Sequence, residues 1–399
     1  MPGLAERARR TSFSASMSVA MRARQLRAEG RDIISLAIGD PDFPAPPHAI
    51  AAAKAAADKG RTSYPPLDGL PELKEAVRRK FRRDQGVDYA ADEVMVANGG
   101  KQVLMNAFLA TLDPGDEVVI PVPAWVAYAD MAKVLGGVPR FVPCPENNGF
   151  LPRVEDLEAA IGPRTRWLLL NFPNNPTGAV APPRLLAEIG RMLERHRHVW
   201  LLTDDMYEHL CFAPGGYRSI AACAPQLRDR TLVVSGISKT YSMTGWRVGF
   251  AGGPAGLIRA MCVMQGHQTA GVNVIAQAAA AAALDGPQDI VAERAAVYRE
   301  RRDIVVAALN DAGLRCHTPE GAFYAFPSVA PVLGRTTPEG RRIGTDADFA
   351  MALLEEAGVA TVSGGAFGMS PFIRISTATD TASLREACAR IAAFCASLR

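Results

Sequence analysis

The sequence predicts an α/β protein: a mostly parallel, doubly wound sheet covered by helices, with a smaller α+β domain beside it. Three observations predict it. Short apolar runs recur without polar alternation, the signature of strands buried on both faces of a parallel sheet. Helical segments separate those runs. Polar residues with chemical capability come directly after the runs, and ligands in such sheets bind beyond the carboxyl ends of the strands. The 399 residues are 48% hydrophobic and 21% charged, an ordinary globular profile with length for two or three domains.

The elements can be taken in order. Pro71 to Gln85 carries Leu73, Ala76, Val77 and Phe81 at helical spacing, with Lys and Arg on the other faces. Val103 to Leu112 reads as a mostly buried helix. Asp113-Pro114-Gly115-Asp116 stops it, and Glu117 to Ile120 reads as the next strand. Later strands are Trp167 to Leu170, Val199 to Leu202, Thr231 to Ser235 and Val248 to Ala251. The Ala-rich stretch Ala276 to Leu284 is a packed helix, too short to span a bilayer. After about residue 286 the texture changes. Asp289 to Leu309 is a long charged helix suited to bridging domains, and Pro319 to Phe326 reads as a strand. Gly334 to Thr345 is a polar loop, Asp346 to Ala357 an amphipathic helix, and the last helix runs from about Ala382 to Leu398. The division is a large domain of residues 45–286 and a smaller one built from 1–44 and 287–399.

Composition excludes several functions. A net charge of +3 is too near balance to argue for nucleic acid or an anionic membrane. Arg7, Arg9 and Arg10 make the first residues basic without an apolar core after them, which reads as a solvated helix, with a transit peptide as the alternative. The 7 cysteines are an odd, widely spaced set with no C-x-x-C, so neither a disulfide framework nor a zinc site is expected. Cys388 and Cys395, seven apart, fit one buried stripe in a reducing cytoplasm. The six histidines show no H-E-x-x-H pattern, and no metal is expected.

Chemistry concentrates in Ser238-Lys239-Thr240-Tyr241-Ser242-Met243-Thr244-Gly245-Trp246-Arg247, after the apolar run ending at Gly236. A lysine amine condenses with an aldehyde when its neutral form is favoured, and a guanidinium fork suits a phosphate. Pyridoxal 5'-phosphate carries both groups. Four further constellations stand beside this block. Asn98-Gly99-Gly100-Lys101-Gln102 brings backbone N–H groups and a helix start to an anion; by itself it is equally an ordinary strand–helix turn. Asn174-Asn175-Pro176-Thr177-Gly178 is a tight turn on any reading. Asp204-Asp205-Met206-Tyr207 puts a carboxylate at a buried strand end, where it needs a cation or donors; Asp205 alternatively caps a helix. Arg374, inside the alternating Phe372-Ile373-Arg374-Ile375-Ser376, wants a carboxylate, from a ligand or from a structural ion pair.

Together with Ser35 to Phe43, Tyr64, Gly69 to Leu73, Trp125-Val126 and Pro319 to Tyr324, these blocks resemble the class I aminotransferases of fold type I. The resemblance covers nearly the whole chain. It is narrower still to the bacterial aspartate aminotransferase group that includes aspartate/prephenate aminotransferases. The resemblance implies that Lys239 bonds the cofactor aldehyde and shuttles the proton at substrate Cα. It implies that Asp204 keeps the pyridine nitrogen protonated, that Tyr207 and Asn175 hydrogen-bond the phenolic oxygen, and that Trp125 stacks on the ring. Gly99, Gly100, Lys101, Ser238 and Arg247 are implied to gather the phosphate end, with Tyr64 reaching in from a second subunit of a homodimer. Arg374 is implied to hold the substrate α-carboxylate, helped by the backbone near Gly39 and by Asn175, with Lys101 and Trp125 also on the substrate side.

The implied activity is ping-pong transfer of an amino group from aspartate or glutamate to 2-oxoglutarate, oxaloacetate or prephenate. A pyridoxal-phosphate lyase, decarboxylase or cyclase is the alternative within the fold, and a non-catalytic regulator the alternative outside it. The chain departs from the group at Ala124, at Gly271-Val272 and at Thr377, changes expected to widen or reshape the substrate side. Ser14-Ala15-Ser16-Met17 matches a closing loop of relatives, and Ser12-Phe13 precede it without the lysine of some prephenate users.

Overall fold

The computed structural model describes residues 3, 5–9 and 15–399. The expectations on Arg10, Ser12, Phe13 and Ser14 lie outside the described residues; Glu6–Arg9 is a short exposed helix.

Seven strands form the large sheet: β1 (Val94–Ala97), β2 (Glu117–Val122), β3 (Val138–Pro143), β4 (Thr165–Asn171), β5 (Trp200–Asp204), β6 (Thr231–Gly236) and β7 (Gly249–Gly252). Their order is β1-β7-β6-β5-β4-β2-β3. The run β6-β5-β4-β2-β3 is parallel, and all but β3 is buried almost throughout, because helices cover both faces. The Val248 to Ala251 expectation needs a correction. The strand is Gly249–Gly252, and it runs antiparallel to both β6 and β1. It comes after β6 by twelve residues of turns, too little chain for the helical crossover that a parallel partner requires.

Helix boundaries obey local chemistry. Pro71–Gln85 starts with Pro at its first position and ends at Gly86, whose φ of 69° is left-handed. Asp346–Ala357 starts at Thr345, whose hydroxyl accepts from the Asp348 N–H while Asp348 answers to the Thr345 N–H, and it ends at Gly358. Val274–Asp285 begins at Asn273, whose side chain accepts from the N–H groups of Ile275 and Ala276.

A second core lies away from the sheet. Leu36, Val305, Phe349, Ile373, Leu384, Cys388, Ile391 and Cys395 pack in one cluster. Ile34–Ser35 pairs in parallel with Val359–Ala360, so N-terminal and C-terminal segments share this core. The long helix Asp289–Asp311 reaches the chain that links both regions. Arg301 grips Asp42 bidentately at 2.7 and 2.8 Å, and Arg294 donates to the Pro44 carbonyl at 2.6 Å.

The strand expected over Pro319 to Phe326 shrinks to Tyr324–Ala325. The residues before it are held by loops of the large sheet instead of a ladder. Glu320 donates its N–H to Gly178, Ala322 donates to Leu210, and Ala322 takes a left-handed φ of 55°.

Candidate active site

The strand ends place the chemistry. Register sets Asn171, Asp204 and Val234 side by side at the carboxyl edge of β4, β5 and β6. Asn174-Asn175 comes after β4, Asp204 ends β5, and Ser238-Lys239 comes after β6. Trp125 lies just beyond β2, and Gly99-Gly100 just beyond β1. Arg247 reaches the same edge because β7 runs the other way and begins there. The helix Gly100–Thr111 sits so close to this start that a Cβ on Gly249 would overlap the Gly100 nitrogen and the Gly99 carbonyl carbon. Glycine at these positions lets backbone N–H groups crowd a single anion.

These ends surround a cavity of about 500 Å³. It is lined by Gly39, Gly100, Lys101, Trp125, Asn175, Asp204, Tyr207, Ser238, Lys239, Arg247 and Arg374 among others. Among the described residues, its lining holds four cations, Lys101, Lys239, Arg247 and Arg374, and one carboxylate, Asp204. Two expected residues are not among the lining. Gly99 stands just behind it at φ 85°, and a Cβ there would overlap the Arg247 guanidinium, so its part is spatial. Tyr64 is 91% exposed and outside this chain's cavity, so it is not a core aromatic either.

Each lining group is tuned. Lys239 donates from Nζ to the Gly39 carbonyl at 2.6 Å, and burial pulls its amine down to about 8. Asp204 is buried, which pushes its carboxyl up to about 6 against the hydrogen bonds it accepts from Tyr128 Oη and the Met206 N–H. Arg374 donates to Asn175 Oδ1 at 3.0 Å and to the Ala37 carbonyl at 2.6 Å, with the rings of Tyr324 and Phe367 under its guanidinium. Its Nε is buried without a partner. Burial also lowers Lys101, whose ammonium lies 5.0 Å from the Trp125 ring centre. Arg247, at a left-handed φ of 57°, donates to the Thr244 carbonyl at 2.8 Å.

These features fit pyridoxal 5'-phosphate. A buried carboxylate held by Tyr128 and the Met206 N–H, with no direct ion pair, suits a ring N–H; a depressed amine suits an aldehyde, and the glycine cradle beside Arg247 suits a phosphate. The spare Arg374 Nε leaves a donor for a carboxylate.

Sequence reasoning misses Tyr128 and gives Tyr324 no role. Tyr128 stands one helical turn after Trp125, with its ring edge-on at 5.3 Å. Tyr324 shares a 2.9 Å hydrogen bond with Tyr207 and occupies the space a Gly39 side chain would need. Spacing signals the first; nothing local signals the second. Asp205 does not cap a helix, because a run of turns comes after β5. Its side chain lies on the other face, with Thr203 and Gln85. Ala124, Gly271 and Thr377 do not line the cavity, so the expected widening is not seen in this chain. Ala124 faces a narrow gap beside Asn174 and Phe150, and Thr377 is buried behind Phe323.

Residues 31–391 match the family described as aminotransferase class I and II. The chain is 51% identical over 380 residues to an aspartate aminotransferase of Rhizobium meliloti, covering 95% of this chain and 93% of that one. It is 50% identical to an aspartate/prephenate aminotransferase of Cereibacter sphaeroides across the whole of both. The crystal structure of an aspartate aminotransferase from Rhizobium meliloti superposes with a TM-score of 0.97 at 49% identity, covering all of both chains. Cavity, fold and relatives agree: the chain belongs to the class I and II aminotransferases and has their fold type I architecture.

Proposed function

We propose that this aminotransferase moves the amino group of aspartate or glutamate to a 2-oxo acid such as 2-oxoglutarate, oxaloacetate or prephenate, with pyridoxal 5'-phosphate as cofactor. The observation that carries the reading is the cavity's charge: four cations against one carboxylate, a surplus suited to a phosphate and two carboxylates. The relatives' names add aspartate and, in one case, prephenate.

When bound, the cofactor supplies an electron sink that makes the substrate Cα–H acidic. Asp204 holds the proton on the ring nitrogen. Lys239, whose amine burial pulls down to about 8, would hold the cofactor's aldehyde end and would take and return the proton at the substrate Cα. Tyr207 and Asn175 donate to the phenolic oxygen. Trp125 packs on the ring face. Gly100, Ser238 and Arg247 would gather the phosphate, with Gly99 leaving room for the Arg247 guanidinium. Arg374 takes the α-carboxylate, with Asn175 and the Ala37–Gly39 backbone fixing its fork. Lys101, above the Trp125 ring, takes the distal carboxylate.

The working unit in this reading is a homodimer in which Tyr64, exposed on one protomer, completes the partner's site. The division into 45–286 and 1–44 with 287–399 is supported by the cluster around Val305 and Phe349, drawn from the smaller domain alone, where Arg301 also holds Asp42. We place the enzyme in the cytoplasm because its seven cysteines are free. No described helix is long and apolar enough to cross a membrane.

A donor panel tests the substrate class. Each amino acid is mixed with cofactor-loaded protein without an acceptor, and the oxo acid released per site is measured. Aspartate and glutamate exceed alanine and leucine. Lys101→Ala costs the acidic donors about ten- to a hundredfold in kcat/KM and spares the apolar ones, as loss of a charge-assisted contact predicts. Equal rates for aspartate and methionine in the wild type would overturn the acidic reading.

A further inference from the structure

We propose that Tyr128 is a positioning residue: it holds Asp204 ionised and fixes the carboxylate's orientation toward the cavity before any ligand arrives. The inference rests on the reading of Asp204 as the partner of the cofactor's ring nitrogen.

The geometry is specific. Tyr128 Oη donates to Asp204 Oδ2 at 2.7 Å, and the Met206 N–H donates to Oδ1 at 3.2 Å. One donor on each oxygen stops the carboxylate from rotating, and each oxygen keeps acceptor capacity for a further N–H. The Asn171 amide fixes the backbone at the same point, donating to the Asp204 carbonyl at 2.8 Å. Tyr128 is itself immobilised. It is almost fully buried on the helix Ala127–Val134, edge-on to Trp125. The start of one short helix therefore joins three groups: Trp125 at the cavity wall just before the helix, Tyr128 in its first turn, and Asp204 bonded to Tyr128.

The titratable groups facing Asp204 are Tyr128, Tyr207 from the turn after β5 and Lys239 from the turn after β6, with Tyr324 behind Tyr128 and Tyr207. Burial holds the Tyr128 phenol well above its ordinary value, so it stays a donor across the working range. Lys239 is the one cation of the set. The hydroxyl of Tyr128 is the foremost group favouring the ionised carboxylate, ahead of the Met206 N–H and the Lys239 charge. A hydrogen bond to a charged group of this kind changes proton affinity by about ten- to a hundredfold.

The experiment uses the full-length chain labelled with ¹³C at aspartate carboxyls, and Tyr128→Phe, which keeps the ring that packs on Trp125. Asp204→Asn assigns the resonance. In cofactor-free protein the Asp204 carboxyl titrates near the acidic side of neutrality in the wild type and about one to two pH units higher in Tyr128→Phe. The affinity for pyridoxal 5'-phosphate, followed by absorbance, falls on acidification in both, starting about one to two units higher in the variant. An unchanged carboxyl midpoint in a folded Tyr128→Phe protein overturns the inference. A shifted midpoint supports it. A shifted midpoint in a chain that binds no pyridoxal 5'-phosphate overturns the cofactor reading alone.

Discussion

Asp204 and Asp205 are neighbours in sequence and opposites in circumstance. The strand period of two sends one side chain into the cavity and the other to the reverse face of the sheet. On the reverse face every charge has a protein partner. Lys80, 1% exposed, pairs with Glu208; Glu208 also accepts from Ser235 and Gln85, and Asp205 accepts from Thr203 Oγ1 at 2.5 Å and Gln85 Nε2 at 3.2 Å. On the cavity face, among the described residues, four cations share one carboxylate. Both regions are buried and polar. One pairs its charges within the chain and contributes to structure; the other leaves a surplus of positive charge for a ligand.

The sharpest way to break this contrast is at the two buried lysines' roles. Lys239→Ala removes the cavity amine and lowers turnover by at least about 10³-fold, the scale of lost proton transfer. After borohydride reduction and denaturation the purified variant also carries no covalently attached pyridoxyl group, whereas the wild type does. Turnover close to wild type would remove Lys239 from the mechanism.

The adjacent aspartates give a smaller effect with an internal control. Asp204→Ala loses at least ~100-fold in kcat, about 2.7 kcal/mol of barrier. Asp205→Ala leaves kcat nearly intact and instead costs stability, by roughly 1–3 kcal/mol for the donors left unpaired, read from denaturant midpoints. A swap of these two signatures would mean that the faces are assigned wrongly.

The smallest effect is on pH dependence. Burial pushes the Asp205 carboxyl up to about 7 from an ordinary value near 3.8. The folded state then binds more protons than the unfolded state between those limits, so stability from this group is full below about pH 4 and declines as pH rises toward 7. Asp204, raised to about 6, adds a similar slope in cofactor-free protein. Asp205→Asn flattens the decline by on the order of 1 kcal/mol between about pH 5 and 8 in urea titrations. Parallel curves for variant and wild type would contradict that account.

Much of this fold is legible in the chain because it is written locally. Pro71 and Gly86 bracket a helix, and Thr345 with Asp348 opens another. Apolar runs mark strands, and the polar residues just beyond each run land at one edge of the sheet. Long-range facts are not legible. Tyr324 meets Tyr207 across 117 positions, and Glu320 is drawn to Gly178 across 142, which dissolves the strand expected there. Ala124 and Thr377 sit beside site residues in sequence yet point away from the cavity, because adjacency along a strand or turn does not fix the face. Tyr64 lies wholly on the surface, where a single chain offers no partner for it.

The reversal of β7 has a consequence for how a ligand is captured. Lys239 follows β6 and Arg247 precedes β7, so the two groups proposed to hold opposite ends of the cofactor lie on a single short excursion between paired strands. The ladder from Val233–Gly252 to Gly236–Gly249 closes that excursion as a clasp closes a loop of fixed length. In the proposed reading, an anion held by the guanidinium would bring its other end to the amine at the high effective concentration of a tethered pair, so that bond formation there would be a local event, independent of the concentration in solution.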